Sequence, residues 1–326
     1  MTSTSEKEKP RQKSAQEAFL SLTIDRAARH RRDPGWTARQ MAADDTRFYP
    51  VWGSRVLVTE QSPPRPAWLS PQDMQPHLDE AESVVLLGES GARAHFAVGF
   101  TYDGGPPPAG LTSHGRFRQL REVTPLVEAE SAALLAYAKA MVHYHHQYRF
   151  CARCGAPTVS AEAGHLRVCT DETCAQQDFP RTDPAIIVLV RSGDRCLLGR
   201  QASWAHQAYS VIAGFVEPGE TLEGAVAREV REETGVLVTD IEYESSQPWP
   251  FPRSLMVGFT ATATNTEICL GDGELEDARW FSREDIVRGV AAGSLRLSSS
   301  ISISYRLIKN WFNAGSHRTL KDVLCP

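Results

Sequence analysis

Short apolar runs alternate with turn-forming segments over the first 126 residues of the chain. The runs "RVLVTE", "SVVLLGES" and "AHFAVGF" predict strands, because they are rich in β-branched and aromatic residues and lie between Pro- and Gly-rich turns such as "SPPRP" and "DGGPPPAG". Residues 1–16 contain no apolar run and are expected to form a disordered tail. The pattern predicts a mixed α/β domain over residues 17–126.

An alanine-rich segment over residues 127–149 predicts a linker helix with Leu134, Ala138 and Met141 on one apolar stripe. Farther along, "DPAIIVLVRSGDRCLLGRQ" predicts a hairpin, and "YSVIAGFV" and "GVLVTDIEYE" predict a second hairpin-like pair around a helix over residues 221–234. Thr221 is suited to be the N-cap of that helix, and Gly235 follows its end. A strand, "SLMVGFTATAT", and two helices, "SREDIVRGVAAG" and "SISYRLIKNWFNA", complete the pattern.

Strands and helices alternate without the rhythm of parallel βαβ units, so we assign the chain to the α+β class with a C-terminal α/β/α sandwich built on a mixed sheet. At 326 residues the chain exceeds what one compact core organises. Its predicted parts are a tail (1–16), an N-terminal α/β domain (17–126), a linker helix (127–149), a cysteine-containing ribbon (150–180), a C-terminal domain (181–315) and a C-terminal tail (316–326).

Charge and hydropathy exclude some functions. The formal net charge of −5 provides no general attraction to nucleic acid or anionic lipid, so a phosphate-bearing ligand must be held by local groups or by a metal. The basic run "RAARHRR", residues 26–32, is the one candidate for RNA contact, although a solvated helix is the favoured interpretation. The longest apolar run is too short to cross a membrane and no signal peptide is visible, which predicts a cytoplasmic protein without a membrane partner.

Four cysteines form a cluster with metal-site spacing. Cys151, Cys154, Cys169 and Cys174 follow the pattern C-x2-C-x14-C-x4-C, in which two short knuckles can place four thiolates around one Zn²⁺. Because four protein ligands leave no open position for water, the zinc is expected to be structural. His165, between the knuckles, is expected to be a solvated loop residue, and the histidines of the linker helix, His143, His145 and His146, are expected at the surface.

The helix over residues 221–234 presents carboxylates on one face. Glu229 and Glu233 are four residues apart, with Glu232 on the flank. Like charges at this spacing destabilise a helix, and a divalent cation with a preference for oxygen ligands, Mg²⁺ or Mn²⁺, would offset them. The alternative is a solvated acidic helix, and the full spacing of glycine, arginine and glutamate favours the cation site.

This spacing, in "GFVEPGETLEGAVAREVREETGV", resembles the Nudix box, G-x5-E-x7-R-E-U-x-E-E-x-G-U with U aliphatic, and every specified position is met. The resemblance implies a Nudix hydrolase that uses Mg²⁺ or Mn²⁺ to attack a nucleoside-linked diphosphate with water. It also implies roles for individual residues. Glu229 and Glu233 would bind metal together with the Ala213 carbonyl, and Glu220 and Arg228 would form a structural ion pair. The catalytic set would be Glu229, Glu232 and Glu233, with Glu233 as the base.

The cysteine ribbon and the later segment "SQPWPFPRS" together resemble the NADH pyrophosphatase family, which splits NAD(H) into NMN(H) and AMP. The same bond occurs in the NAD cap of RNA, so the resemblance extends to cap removal, and it implies a homodimer. Glu274 matches the remote metal-binding glutamate of the family, Phe179 stands where tyrosine is usual, and Ser304 stands where alanine is common. The implied substrate-binding residues are Phe179, Phe215, Gln247, Pro248, Trp249, Pro250, Phe251, Pro252, Arg253, Ser254 and Ser304.

The prolines of "SQPWPFPRS" lack backbone donors and are excluded from a central strand, which predicts a rigid loop that presents Trp249 and Phe251 to a planar ligand. The alternative is a loop that packs these rings inward. Two other functions stay open from the sequence. One is a Nudix enzyme for ADP-ribose or a dinucleoside polyphosphate, and the other is a non-catalytic NAD-sensing or zinc-ribbon interaction protein.

Overall fold

The structure, a computed structural model, describes residues 19, 22–101, 105–271 and 273–324, so the predicted tail over residues 1–16 lies outside the described residues. The N-terminal part contains α1 (Pro34–Ala42), β1 (Arg47–Trp52), β2 (Arg55–Val58), α2 (Pro71–Met74), β3 (Ser83–Ser90), β4 (Arg93–Phe100), β5 (Arg116–Gln119), α3 (Leu120–Val123) and α4 (Ala129–Gln147). A ribbon follows with β6 (Thr158–Ala161), β7 (Leu166–Cys169) and β8 (Gln177–Asp178).

The C-terminal part contains β9 (Asp183–Ser192), β10 (Arg195–Arg200), β11 (Ala208–Tyr209), β12 (Ile212–Phe215), α5 (Leu222–Thr234), β13 (Val238–Trp249), β14 (Ser254–Ala263), β15 (Asp277–Ser282), α6 (Arg283–Ala291), β16 (Arg296–Leu297), α7 (Ile303–Ala314) and α8 (Leu320–Leu324). None of the helices in the described part of the chain is both long enough and apolar enough to span a membrane.

The N-terminal sheet has the strand order β3-β4-β1-β2-β5, and only the β1–β4 pair in it is parallel. The long helix α4 packs on this sheet and buries Leu134, Ala138 and Met141, so the predicted apolar stripe is confirmed. The helix leads from the N-terminal sheet into the ribbon, which it therefore positions.

The C-terminal sheet has the order β13-β14-β9-β10-β15, with β12 paired to β9. The pair β9–β14 is parallel and the other pairs are antiparallel, which confirms the mixed sheet, and β9–β10 is the predicted hairpin. Helix α5 covers one face with Ala225, Val226 and Val230, while α6, α7 and α8 cover the opposite face. The sheet thus separates α5 from α7.

Strand pairing and the C-terminal tail differ from the sequence expectations. The runs "YSVIAGFV" and "GVLVTDIEYE" do not pair with each other, because β12 pairs with β9 and β13 pairs with β14. The expected C-terminal tail contains α8, whose Leu320 and Val323 are buried against the core that α6 and α7 share. Apolar runs identify strands and helices, but the choice of partner depends on the whole sheet.

Pro248 lies inside strand β13, opposite Leu255, so the predicted loop begins later, at the turn over residues 250–253. β13 is an edge strand, and an edge strand tolerates a residue without a backbone N–H. The prediction that these prolines do not lie in a central strand is confirmed. The prediction of a loop is wrong for residues 246–249, which belong to β13.

Two histidines that were expected at the surface are buried. His145 donates from Nε2 to the Gly164 carbonyl oxygen at 2.8 Å and accepts at Nδ1 from Arg167 at 3.0 Å. His165 donates from Nε2 to the Leu86 carbonyl oxygen at 2.7 Å and so connects the ribbon to the N-terminal sheet. Each ring forms hydrogen bonds with polar partners, and these bonds offset the free-energy cost of burying the ring. His146 is exposed, as expected, and His143 is half-buried.

Acid is expected to destabilise the protein through its buried histidines. Burial lowers the pKa of His95, His145 and His165 to about 4 each. Because the unfolded value is about 6.5, the stabilisation from keeping these rings neutral is complete above pH 6.5 and declines as the pH falls toward 4. Each pKa unit corresponds to about 1.4 kcal/mol. Urea unfolding at several pH values measures this slope.

The matched variant is His95→Gln, which lies on the N-terminal sheet and loses one titrating ring. Its free energy of unfolding is expected to fall less steeply between pH 6.5 and pH 4 than that of the wild type. His95 contacts Tyr49 and Ser90 and is not part of the cysteine cluster, so zinc release affects both proteins equally. Identical slopes would contradict the assignment.

Candidate active site

Helix α5 has the predicted boundaries. The Thr221 hydroxyl oxygen accepts from the Gly224 N–H at 3.1 Å, and Gly235 ends the helix with φ of 70°, in the left-handed region. The apolar face packs on the sheet, and this packing orients the helix so that Glu229, at 12% side-chain exposure, reaches β12 while Glu232 is exposed.

Arg228 ties the loop before α5 to the helix. Its Nε and Nη2 donate to the two carboxylate oxygens of Glu220 at 2.9 and 3.0 Å, and the predicted ion pair is confirmed. Nη1 donates to Glu229 at 2.9 Å and to Glu232 at 3.0 Å, and Nη2 donates to the Phe215 carbonyl oxygen at 2.9 Å. Hydrogen bonding to Arg228 lowers the pKa of Glu220, and the three carboxylates raise the pKa of Arg228. The loop conformation is therefore set by the protein's own charges.

Negative charge exceeds positive charge at this site. Burial is the main cause of the raised pKa of Glu229, and the carboxylates of Glu232 and Glu274 raise it further. Glu274 therefore lies within electrostatic range of α5 although it is far along the chain. Glu233 is 2% exposed on the same helix. A set of carboxylate oxygens with excess negative charge fits a hard divalent cation.

Glycine is required at position 214 because the Glu229 carboxylate lies close to the backbone there. A Cβ atom at this position would overlap the Glu229 carboxylate, and the backbone of β12 therefore passes directly beside it. Ala213, the predicted backbone ligand, precedes this contact in the same strand.

Gly214→Ala is accordingly expected to displace the Glu229 carboxylate and lower kcat by about 10- to 100-fold, because small misplacements of reacting groups are costly. The control is Gly224→Ala on α5, where a Cβ would meet Thr221 Oγ1 at 3.2 Å and Glu220 Cγ at 3.4 Å and none of the three predicted catalytic glutamates. Steady-state kinetics of both variants make the comparison, and equal kcat values would show that Glu229 needs no such space.

Two predicted substrate-binding rings are available to a ligand. Phe215, at the end of β12, is 60% exposed, and Phe179, before β9, is 53% exposed. The Phe215 backbone is fixed by its carbonyl contact with Arg228. These rings have the exposed faces that stacking on a base or a nicotinamide requires.

Trp249 and Phe251 are half-buried. The two rings meet edge to face, with centroids 5.1 Å apart, and both are partly buried against the N-terminal core. The Arg121 guanidinium lies 4.5 Å from the centroid of Phe251 and 5.4 Å from that of Trp249. The expected presentation to a ligand is replaced by the alternative, rings packed inward. Burial and cation–π attraction in this interdomain contact explain the difference.

Gln247 and Ser304, also predicted to bind substrate, are buried and hold the backbone. Gln247 donates from Nε2 to the Ile301 carbonyl oxygen at 2.8 Å, and its Oε1 accepts from the Ile303 N–H at 2.7 Å. The Ser304 hydroxyl lies 2.8 Å from that of Ser210. Both side chains are satisfied within the protein, so the structure gives them a packing role.

The remaining residues of the segment form its turn. Arg253 donates from Nε to Asp183 at 2.8 Å, and Ser254 pairs with Asp183 in the β14–β9 register. Pro252 lies in the turn, and the Pro250 carbonyl oxygen accepts from Lys139 Nζ at 2.6 Å. The segment is therefore fixed at both ends.

Lys139 is a supporting residue that the sequence analysis missed. It is 5% exposed on α4, and it is the one charged residue between Glu130 and His143, a signal that could have indicated a buried partner. Lys139→Met keeps the size of the side chain and leaves the Pro250 carbonyl unpaired. We expect a loss of about 1 to 3 kcal/mol in the free energy of unfolding.

Urea unfolding measures this loss, and Lys139→Arg, which keeps a donor, is expected to lose less. A Lys139→Met protein as stable as the wild type would show that the contact contributes nothing.

The four predicted zinc ligands come together. Their Sγ atoms lie within 4.8 Å of one another, with 3.8 Å between Cys151 and Cys174 and 3.4 Å between Cys154 and Cys169. A tetrahedral zinc site with bonds of about 2.3 Å requires sulfurs about 3.8 Å apart. Backbone N–H donation, chiefly from Cys154, lowers the pKa of Cys151 to about 7 and favours its thiolate, whereas burial raises the pKa of Cys169 to about 12. The cluster fits a structural zinc ion.

Three domains of known protein families match consecutive parts of the chain. The NUDIX domain matches residues 180–298, the NADH pyrophosphatase zinc ribbon domain matches residues 146–176, and the NADH pyrophosphatase-like rudimentary NUDIX domain matches residues 45–143.

Several relatives are similar to this chain. The NAD-capped RNA hydrolase NudC of Mycobacterium bovis (strain BCG / Pasteur 1173P2) is 38% identical over 302 residues, which span 88% of this chain and 92% of the relative. The NAD-capped RNA hydrolase NUDT12 of Macaca fascicularis is 32% identical over 340 residues, 90% of this chain and 72% of the relative. The Homo sapiens protein of that name is 40% identical over 196 residues, 57% of this chain and 42% of the relative.

Proposed function

We propose that this chain, which belongs to the NADH pyrophosphatase family of Nudix hydrolases, hydrolyses the diphosphate bond of NAD(H) to NMN(H) and AMP. The observation that carries the proposal is the carboxylate set of α5 and Glu274, held by Arg228, which also donates to the carbonyl oxygen of Phe215, a residue whose ring is exposed. One side of this arrangement suits a metal–diphosphate group, and the other suits a planar base.

In this proposal Glu229, Glu233 and Glu274, with the Ala213 carbonyl, hold Mg²⁺ or Mn²⁺. The bound cation would neutralise charge on the phosphoryl oxygens and lower the pKa of water. Glu233 takes the proton of the attacking water as the new O–P bond forms and the bridging O–P bond breaks. Arg228 holds Glu229 in place, and Gly214 leaves room for its carboxylate.

In this proposal the exposed rings of Phe179 and Phe215 recognise the substrate. Phenylalanine at position 179 keeps the ring of the usual tyrosine and lacks its hydroxyl. Stacking is therefore retained, and any hydrogen bond from that hydroxyl is lost.

Removal of the NAD cap from RNA belongs to the same proposal, because the same bond is cut and because the relatives carry that name. The basic run over residues 26–32 does not favour a strong contact with the RNA body. Arg29 pairs with Asp25 and Glu89, and Arg32 pairs with Glu162. These arginines are engaged by the protein's own carboxylates, so we propose that the enzyme recognises the cap.

A cytoplasmic homodimer is also part of the proposal. Free thiols suited to zinc are typical of a reducing compartment. Phe150 and Val159 on the ribbon are exposed, as Phe179 is, and such apolar positions suit a contact between two copies. Sedimentation analysis of the purified protein tests this part, and a monomer at micromolar concentration would overturn it.

The test of the function compares kcat/KM for NADH, NAD⁺, NAD-capped RNA, ADP-ribose and Ap4A, each with Mg²⁺ or with Mn²⁺. NMN(H) and AMP are expected from the first two, with the highest kcat/KM on an NAD-containing substrate. A preference for ADP-ribose or Ap4A would make the chain a different Nudix hydrolase. Binding of NADH without turnover would make it a sensing protein.

A further inference from the structure

A cavity of about 570 Å³ lies between the N-terminal and C-terminal parts of the chain, and we call it the interdomain cavity. Thr124, Pro125 and Val127 line it on the N-terminal side. The segment over residues 298–303 and the helices α7 and α8 line it on the other side. Its volume falls in the range of small-molecule sites.

The charged side chains that line the cavity are all cationic. Arg306, Lys309 and Lys321 contribute to it, and no aspartate or glutamate of the described residues does. The described part of the chain contains only three lysines, and two of them are at this cavity. Within that part neither Lys309 nor Lys321 forms an ion pair, whereas Arg306 donates to the Ser245 hydroxyl at 2.6 Å. In a protein with net charge −5, such clustering favours an anionic ligand.

Hydroxyl groups add to this preference. The segment "SSSIS" over residues 298–302 brings four serines to the wall, and Ser302 is the N-cap of α7, a helix of 12 residues. Hydroxyls and cationic side chains bind phosphate in proteins, whereas the first N–H groups of α7 already donate to Gln247 Oε1 and Ser302 Oγ. The chemistry of the wall therefore matches a phosphate group.

The rest of the wall is apolar. Pro125, Val127, Ile301 and Leu324 provide a surface for a ring or a sugar edge, and Tyr305 adds an aromatic side chain. A ligand with a compact phosphate and a flat, partly apolar body fits both halves of the wall, whereas inorganic phosphate uses only one.

The cavity is separate from the carboxylate site. Helix α7 covers the face of the C-terminal sheet opposite to α5, and none of Glu229, Glu233 and Glu274 lines the cavity. Gln247 connects it to the strand that carries Trp249, because Gln247 holds the backbone of residues 301 and 303.

We propose that the interdomain cavity is a second binding site, distinct from the carboxylate site, for a nucleoside monophosphate whose phosphate contacts Lys309 and Lys321. Binding of a ligand in the interdomain cavity requires neither turnover nor a divalent cation. The proposal can therefore be tested independently of the function proposed above. A ligand here contacts both parts of the chain at once.

Isothermal titration calorimetry with AMP and with NMN tests the proposal on three full-length proteins: the wild type, Glu233→Gln and Lys309→Ala/Lys321→Ala. We expect a site in the wild type that Glu233→Gln keeps within about twofold. The double variant is expected to bind at least tenfold more weakly, because it loses two charge-assisted contacts. Adenosine, without a phosphate, is expected to give no binding heat.

Arg318→Ala is the control for general electrostatics, since Arg318 is exposed near α8 and does not line the cavity. It is expected to bind like the wild type. Equal affinity of the double variant and the wild type, or loss of binding in Glu233→Gln alone, would overturn the second site. Binding of a short 5′-phosphorylated RNA without binding of AMP would overturn the mononucleotide assignment. Urea unfolding of the double variant confirms that it is folded.

Discussion

Glu233→Gln is expected to lower kcat for NADH by about 10²- to 10⁴-fold, the usual contribution of a positioned general base. Glu233 is 2% exposed on α5, the helix that carries the Nudix box, and in the proposed function its carboxylate binds the cation and takes the water proton. Glutamine keeps the size and the hydrogen-bonding capacity of the side chain but cannot accept the proton. Steady-state kinetics with saturating Mg²⁺ measure the change.

The matched control is Glu223→Gln in the first turn of the same helix, where the side chain is exposed. It removes the same charge from α5, and we expect kcat within about twofold of the wild type, since exposed charges contribute little. Urea unfolding shows whether both variants keep the fold. An unchanged kcat in Glu233→Gln would mean that another group activates the water.

Removal of zinc is expected to have the largest effect on stability. Cys169→Ser replaces a buried ligand of the cluster, and the ribbon packs on the rest of the chain through His165 and through the Tyr144 hydroxyl, which donates to the Asp178 carbonyl oxygen. Structural zinc sites contribute about 10 to 16 kcal/mol of apparent binding free energy in isolated peptides. A loss of several kcal/mol is therefore expected for the whole chain, with less than one zinc ion retained per protein.

Cys269→Ser is the control, because Cys269 is an exposed thiol outside the cluster. It is expected to keep its zinc, measured by atomic emission, and the stability of the wild type, measured by urea unfolding. A Cys169→Ser protein with full zinc and unchanged stability would contradict the assignment of the cluster.

Features confined to one element were predicted well from the sequence. The boundaries of α5, its cap at Thr221 and its end at Gly235 follow from residue preferences, and the carboxylate face follows from the helical period. The cysteine spacing likewise predicted four sulfurs that the structure brings together. In each case the residues involved are near one another along the chain, or their spacing alone determines the geometry.

Other features depend on which distant residues meet. The partner of β13, the burial of His145, the contact of Lys139 with Pro250 and the position of Glu274 near Glu229 join segments that are far apart in the chain. Such contacts result from burial of apolar surface over the whole molecule, which no local pattern specifies. The sequence was therefore sufficient for the boundaries of the carboxylate helix and for the membership of the cysteine cluster. The tertiary structure decided that the rings of "SQPWPFPRS" face the N-terminal domain, because the apolar core there covers them and Arg121 and Lys139 lie over the Phe251 ring.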